Sequence, residues 1–209
     1  MTQDPLVFIG IAALLTITPG ADMAMVSRSV LTGGRRDAFA TTLGILAGCL
    51  VWAIVSAAGV AAVLAASRTA YDALRLAGAA YLVWLGVQSL LAARRGDHHD
   101  PTSGNPRSGP GARTAFRQGL LTNLFNPKIA IFYSTFLPQF IGPGDPALLL
   151  SIALAGVHIG FGLVWLTTYA WLLDRAVTAF KSSRVRRALD ALTGTVLLAL
   201  GLRLAAERR

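Results

Sequence analysis

Charge is scarce in this 209-residue chain: 14% of the residues are Asp, Glu, Lys or Arg, and only 10 are acidic. Globular domains in water carry about 25% charged residues. So few charges cannot cover a water-facing surface, and a 54% hydrophobic content excludes a disordered chain. Cysteine is almost missing as well. Cys49 stands alone, which excludes an intramolecular disulfide framework, a CxxC redox pair and a thiolate metal cage. A cleavable leader is not expected, because Met1-Thr2-Gln3-Asp4 has no positive charge and more apolar runs follow the first. A net charge of +9 raises nucleic acid as a partner. The basic residues lie between apolar runs and form no soluble patch, so no nucleic-acid partner is expected.

Apolar sequence, by contrast, is present in long blocks. Windows without charge cover 5–21, 38–67, 76–93, 146–173 and 191–202, and 118–144 is interrupted only by Lys128. A helix needs about 20 residues to cross ~30 Å of hydrocarbon. Six spans are therefore predicted, at 5–27, 39–66, 71–93, 117–140, 147–173 and 187–205. The sixth is the shortest in uncharged residues, between Asp190 and Arg203. A snorkelling arginine rescues it, and five spans is the alternative. The expected fold is an all-α integral membrane protein with no separate soluble domain. A first three-helix unit covers 1–95, a flexible linker 96–115 and a second three-helix unit 116–209. The linker contains a Gly-, Pro- and Ser-rich stretch with Asp97-His98-His99-Asp100. Adjacent histidines lack the spacing of a preformed metal site, so this reads as a solvated loop.

Basic residues set the orientation. The segments after spans one, three and five hold 13 of the 19 basic residues, among them Arg28, Arg35, Arg36, Arg94, Arg113, Arg117 and Arg175. The opposite ends hold almost none. Both termini are therefore predicted outside the cytoplasm, although Arg208-Arg209 runs against that pattern.

The two halves share features in the same order. Leu14-Leu15-Thr16 with Pro19 and Asp22 matches Leu120-Leu121-Thr122 with Pro127 and Lys128. Gly48 to Trp52 matches Gly162 to Trp165, and Gly78 to Gly86 matches Gly194 to Gly201. Three spans per half force the second copy upside down. Inverted repeats with broken helices at corresponding positions are the architecture of secondary transporters.

Two breaks are expected, in helices 1 and 4. At Thr18-Pro19-Gly20-Ala21-Asp22, proline removes a donor and glycine loosens the backbone, which frees carbonyls before Pro19. The amides after the break form a positive half-helix end suited to a carboxylate. Asp22 either caps that half-helix or faces a cation. In Asn123-Leu124-Phe125-Asn126-Pro127-Lys128, asparagines satisfy backbone groups released by the proline. Lys128 lies near mid-membrane, where a lysine costs roughly 2.5–3.5 kcal/mol and needs a partner, with Asp22 the obvious one. His158 is a candidate proton relay or an interhelical hydrogen-bonding residue. Gly44-xxx-Gly48 and Gly156-xxx-Gly160 favour close helix packing. Gln139 is either substrate-facing or an interfacial cap.

The segment Thr18-Pro19-Gly20-Ala21-Asp22, the glycine-rich second span and FRQGLLTNLFNPKIAIFYSTFLPQF at 116–140 resemble the LysE/RhtB family of amino-acid exporters. The resemblance covers nearly the whole chain and implies a proton-driven exporter in the bacterial inner membrane, with an amino acid or close derivative as substrate and no cofactor. It also implies that Pro19, Gly20, Asp22, Asn126, Pro127 and Lys128 belong to a central site, to which the breaks add Thr18 and Asn123. Ala21 replaces a second proline common in the family, which softens the first break. Asp22 and His158 are the proton-coupling candidates. A divalent metal-ion exporter is the alternative, drawing on His158, Cys49 and Asp22. A membrane enzyme is not expected, because no nucleophile–base constellation or cysteine pair is present. The chain works alone or as a homodimer in the lipid bilayer.

Overall fold

The computed structural model describes residues 5–59, 109–142, 144–179 and 183–206, with isolated positions between 69 and 94. Most of the third predicted span and the His98-His99 loop lie outside the described residues. The described positions between 69 and 94 are all helical.

Helix α1 spans Pro5–Ile17 and α2 spans Ala21–Ala57. Pro5 starts α1 where its missing amide costs nothing. Pro19 ends it, because it pushes residue 18 out of helical geometry and donates no bond. The break expected inside the first span is therefore present. The loop expected between 27 and 39 is not. Residues there stay helical up to a reversal at Gly34, whose φ of 71° is a glycine conformation. A 2.7 Å bond between the Ser29 and Thr41 hydroxyls requires the reversal. Along a straight helix those residues would stand about 18 Å apart. Thus α2 is a hairpin of two arms, 21–33 and 35–57. It stops at Ala57, short of the predicted 66, because Gly59 takes a left-handed φ of 72° and donates to Ser56 O at 3.1 Å.

The second half opens with α3, Ala112–Leu124, which begins earlier than the predicted 117. After Phe125 and Asn126 the chain resumes as α4, Pro127–Ile131, then a π turn at Phe132–Phe136 and a 3-10 turn at Leu137–Phe140. Two long helices come next, α5 at Ala147–Ala179 and α6 at Ser183–Ala206. Among the described residues, α2 and α5 are the helices long and apolar enough to cross a membrane. In the loop before α5, the Gly142 N–H donates to Asp145 at 2.9 Å and holds that carboxyl below the usual carboxylate range.

Small residues set the packing. A Cβ on Gly44 would strike the Phe116 carbonyl, and one on Gly119 would strike the Thr41 carbonyl. Gly48 leaves room for Asn123 in the same way. These contacts run up both helices together, so the second arm of α2 lies parallel to α3. Gly86 and Leu90 pack against Gly194 and Leu198 in the opposite sense. Gly156 and Gly160 do not behave as expected: among the described residues, no neighbour lies within 4 Å of the position a Cβ would take on either. His158 between them faces inward, and two helical steps of 100° turn both glycines outward.

The interior is aromatic at one end, where Phe8 lies 5.7, 6.2 and 5.3 Å from the rings of Phe132, Phe136 and Phe140. The other end is polar. Ser27 Oγ and the Tyr169 hydroxyl meet at 2.6 Å, Arg28 donates to Gln118 at 3.2 Å, and buried Asp37 accepts from the Gly111 N–H at 3.2 Å. The outer face is apolar, with Leu6, Leu149 and Val164 exposed by 71%, 66% and 67%. A soluble monomer rarely leaves so much apolar surface in water, and a bilayer covers it.

Candidate functional site

The two breaks meet. Pro19 leaves the carbonyls of the last α1 turn without helical partners, and Lys128 takes them: Nζ donates to Leu15 O at 3.1 Å and to Thr18 O at 3.0 Å. Lys128 reaches them because it stands in the first turn of α4. Asn126 fixes that turn by accepting from the Lys128 N–H at 3.1 Å, with Pro127 at the first helical position. The reciprocal contact comes from the other side. Asn123, one residue before α3 ends, donates to Asp22 Oδ2 at 3.3 Å, and Asp22 lies in the first turn of α2. The end of α1 thus contacts the start of α4, and the end of α3 contacts the start of α2.

This arrangement removes one of the two roles open to Asp22 and corrects the pairing expected of Lys128. Asp22 does not cap α2, whose N-terminus has no side-chain cap. Its carboxylate turns to Asn123 instead. Lys128 also does not bond Asp22 directly, because the α1 carbonyls hold its ammonium. The two charges face a common small cavity. Asp22 Oδ1 has no hydrogen-bond partner among the described residues and is inaccessible to solvent, with the Asn126 side chain beside the carboxylate. A buried carboxylate oxygen without a partner is costly unless something arrives to meet it.

The same cavity, about 30 Å³, is lined by Leu15, Thr18, Gly20, Asp22, Cys49, Lys128 and His158. That is room for one or two waters. Two larger clefts adjoin it. One of about 370 Å³ holds Thr18, Pro19, Gly20, Asn126, Pro127, Lys128 and Arg203. The other, about 400 Å³, runs past Pro19, Gly20, Ser27 and Tyr169. Pro19, Gly20 and Leu200 line both.

All eight sequence-predicted binding residues except Asn123 line one of these spaces, and Asn123 bonds Asp22 from behind. His158 is buried and shares a 3.1 Å hydrogen bond with the Tyr133 hydroxyl. Gln139 lies apart, donating to Thr135 O at 2.8 Å on its own exposed turn. Sequence reasoning missed Tyr133 and Asp37, and it considered Cys49 only as a metal ligand. Asn123 also donates to Cys49 Sγ at 3.5 Å, and Cys49 lies beside Tyr133. A polar string therefore runs from Asp22 through Asn123, Cys49 and Tyr133 to His158. Among the described residues, no three His, Cys, Asp or Glu side chains form a metal-binding group.

A family model for LysE type translocators matches residues 13–208. The chain belongs to that family. This LysE type translocator is a multi-pass membrane transport protein and not an enzyme. It is 31% identical over 202 residues to the uncharacterized membrane protein YrhP of Bacillus subtilis, covering 95% of this chain and 96% of that one. It is 30% identical over 197 residues to a homoserine/homoserine lactone efflux protein of Salmonella typhimurium, covering 94% and 93%. A threonine efflux protein of Escherichia coli is 27% identical over 194 residues, covering 92% of each. No solved structure matches the chain.

Proposed function

We propose that this translocator is a secondary exporter of amino acids or close derivatives in the bacterial cytoplasmic membrane, coupled to protons and working by alternating access. The observation that carries the reading is the reciprocal contact of the two breaks, which sets an unsatisfied carboxylate oxygen and an ammonium around one cavity. A zwitterion complements that pair. Its ammonium meets Asp22 Oδ1, and its carboxylate meets Lys128 Nζ and the uncapped amides that open α2. Lys128 then leaves the α1 carbonyls, which loosens the first break. The central cavity is too small for an amino acid as it stands, whereas the 370 Å³ cleft beside it is large enough. The wall between the clefts, at Pro19, Gly20 and Leu200, is where opening alternates.

Support for two inverted three-helix halves comes from helix directions. The broken helices contact each other head to tail, the second α2 arm lies parallel to α3, and the stretch around Gly86 runs against α6. Arginine placement supports termini outside the cytoplasm. Protonation of Asp22 would return the empty carrier, with His158, which lines the same small cavity, exchanging a proton with Asp22 through water held there. The relatives named for homoserine and threonine efflux point to small hydroxylated amino acids as the first substrates to assay.

The experiment uses proteoliposomes loaded with labelled threonine or homoserine. A pH gradient should drive efflux by the unaltered protein. Asp22→Asn should abolish gradient-driven efflux while keeping some exchange across equal pH. Full gradient-driven export by Asp22→Asn would refute the coupling role, and protection of cells against divalent metals with no amino-acid efflux would refute the substrate class.

A further inference from the structure

Away from the breaks, a third space opens where the start of the second α2 arm meets the last turns of α5. It measures about 280 Å³ and is lined by Arg35, Arg36, Phe39, Thr167, Ala170 and Trp171. That is close to the lower end of small-molecule sites, at roughly 300–1,000 Å³. We propose that this pocket binds the phosphate headgroup of an anionic phospholipid.

Three features favour that occupant. First, two exposed arginines that line the same pocket offer the planar donor forks that match a phosphate. A third cation stacks on one wall of the pocket, since the Arg175 guanidinium lies 4.2 Å over the ring of the lining residue Trp171. That stacking orients the arginine beside the Trp171 wall of the pocket. Second, the depth fits. Tryptophan and arginine mark the boundary between hydrocarbon and headgroups, and the α5 residues toward Val164 are apolar and exposed. Third, the groove continues as lipid-facing surface. Leu43 is one helical turn beyond Phe39, and Val164 shares a face with Thr167 and Trp171; Phe39, Leu43 and Val164 are 50%, 40% and 67% exposed. A headgroup seated on the arginines therefore leaves its acyl chains along Phe39, Leu43 and Val164. A free phosphate would use the arginines but have no use for that apolar track. The one acid close by in sequence on α5, Asp174, is not among the lining residues, and the buried Asp37 carboxylate is taken by Gly111.

Occupancy would tie the tip of the α2 hairpin to α5 at the membrane surface, on the side opposite the aromatic cluster around Phe8. The test is lipid retention by the full chain. Detergent-extracted protein is exchanged into phosphatidylglycerol or phosphatidylcholine, stripped by dilution and weighed intact by native mass spectrometry. The expected result is one retained phosphatidylglycerol and no retained phosphatidylcholine. Arg35→Gln with Arg36→Gln should weaken retention about thirty-fold, which is ~2 kcal/mol at 1.4 kcal/mol per decade. Arg113→Gln with Arg117→Gln, an equal loss of charge on α3, should leave it unchanged. Arg35→Lys with Arg36→Lys should retain part of the binding and shows that the hairpin still folds. Equal loss from both glutamine pairs would overturn the proposal in favour of diffuse surface attraction. Displacement of the lipid by millimolar inorganic phosphate would overturn it in favour of a free-phosphate site.

Discussion

Replacing Lys128 by methionine keeps the length of the side chain and removes its ammonium. Two bonds to backbone carbonyls are lost, at 3.1 and 3.0 Å. Hydrogen bonds to charged groups contribute about 1.5–3 kcal/mol each, so the loss is roughly 3–6 kcal/mol. Against it stands the cost of holding a lysine at membrane depth, about 2.5–3.5 kcal/mol, which methionine does not incur. The net destabilisation is therefore about 1.5 kcal/mol, or a Tm lower by roughly 3–6 °C for a chain of this size. A further contribution comes from Asp22, which loses the attraction of its facing cation. Without direct contact this is smaller than the ~4 kcal/mol of a pair 4 Å apart at an effective dielectric constant of about 20. The effect on transport is separate and larger. If the substrate carboxylate uses Lys128 Nζ, losing one charge-assisted bond weakens apparent affinity about 10- to 150-fold. The assay pairs thermal unfolding in detergent with substrate-concentration dependence of efflux in proteoliposomes. Combining Lys128→Met with Asp22→Asn should recover part of the stability and none of the transport. Export by Lys128→Met with unaltered affinity would refute the binding role. A double variant destabilised by the sum of the two single effects would refute the coupling between the charges.

Other substitutions test the packing and the polar string. Gly44→Ala and Gly119→Ala should each destabilise by about 1–3 kcal/mol, seen as a lower Tm, since the added carbons meet backbone that cannot move aside. Gly156→Ala should leave Tm unchanged or raise it, by up to about 1 kcal/mol of helix propensity, because no described residue lies within 4 Å of the added carbon. Asn123→Leu removes the hydrogen bond to Asp22 and should cost about 1–3 kcal/mol, with gradient-driven efflux falling more than exchange at equal pH. Tyr133→Phe keeps the ring contacts and removes the bond to His158; efflux should keep its affinity and change its dependence on pH.

Much of the site could be read from residue types alone. Pro19 and Pro127 announce both breaks because a proline inside an apolar run has one structural consequence, whatever surrounds it. Lys128 announces a buried partner because the bilayer offers it none. The identity of that partner could not be read, since the groups it bonds are main-chain oxygens of Leu15 and Thr18 and every residue carries one. Asp22 stayed undecided between capping and facing a cation for a similar reason: capping is what an aspartate at a helix start usually does, and the pull of Asn123, a hundred residues away, has no local signature. The glycine pairs divide on orientation. Spacing alone makes Gly44/Gly48 and Gly156/Gly160 alike, yet only the first faces a neighbour. Gly34 hid in a run of glycines and arginines that resembles an ordinary loop, and only one of its two glycines reverses the chain.

That reversal has a consequence for how the molecule is made. Were residue 34 to adopt the geometry of its neighbours, the 37 residues of α2 would form one rod about 55 Å long, nearly twice the thickness of the hydrocarbon layer. The Ser29–Thr41 bond could then form only between two molecules, with each chain lending its distal half to the other. A bulkier side chain at this single position is thus a route to exchanged dimers, in which intact pairs of helices are shared across two polypeptides.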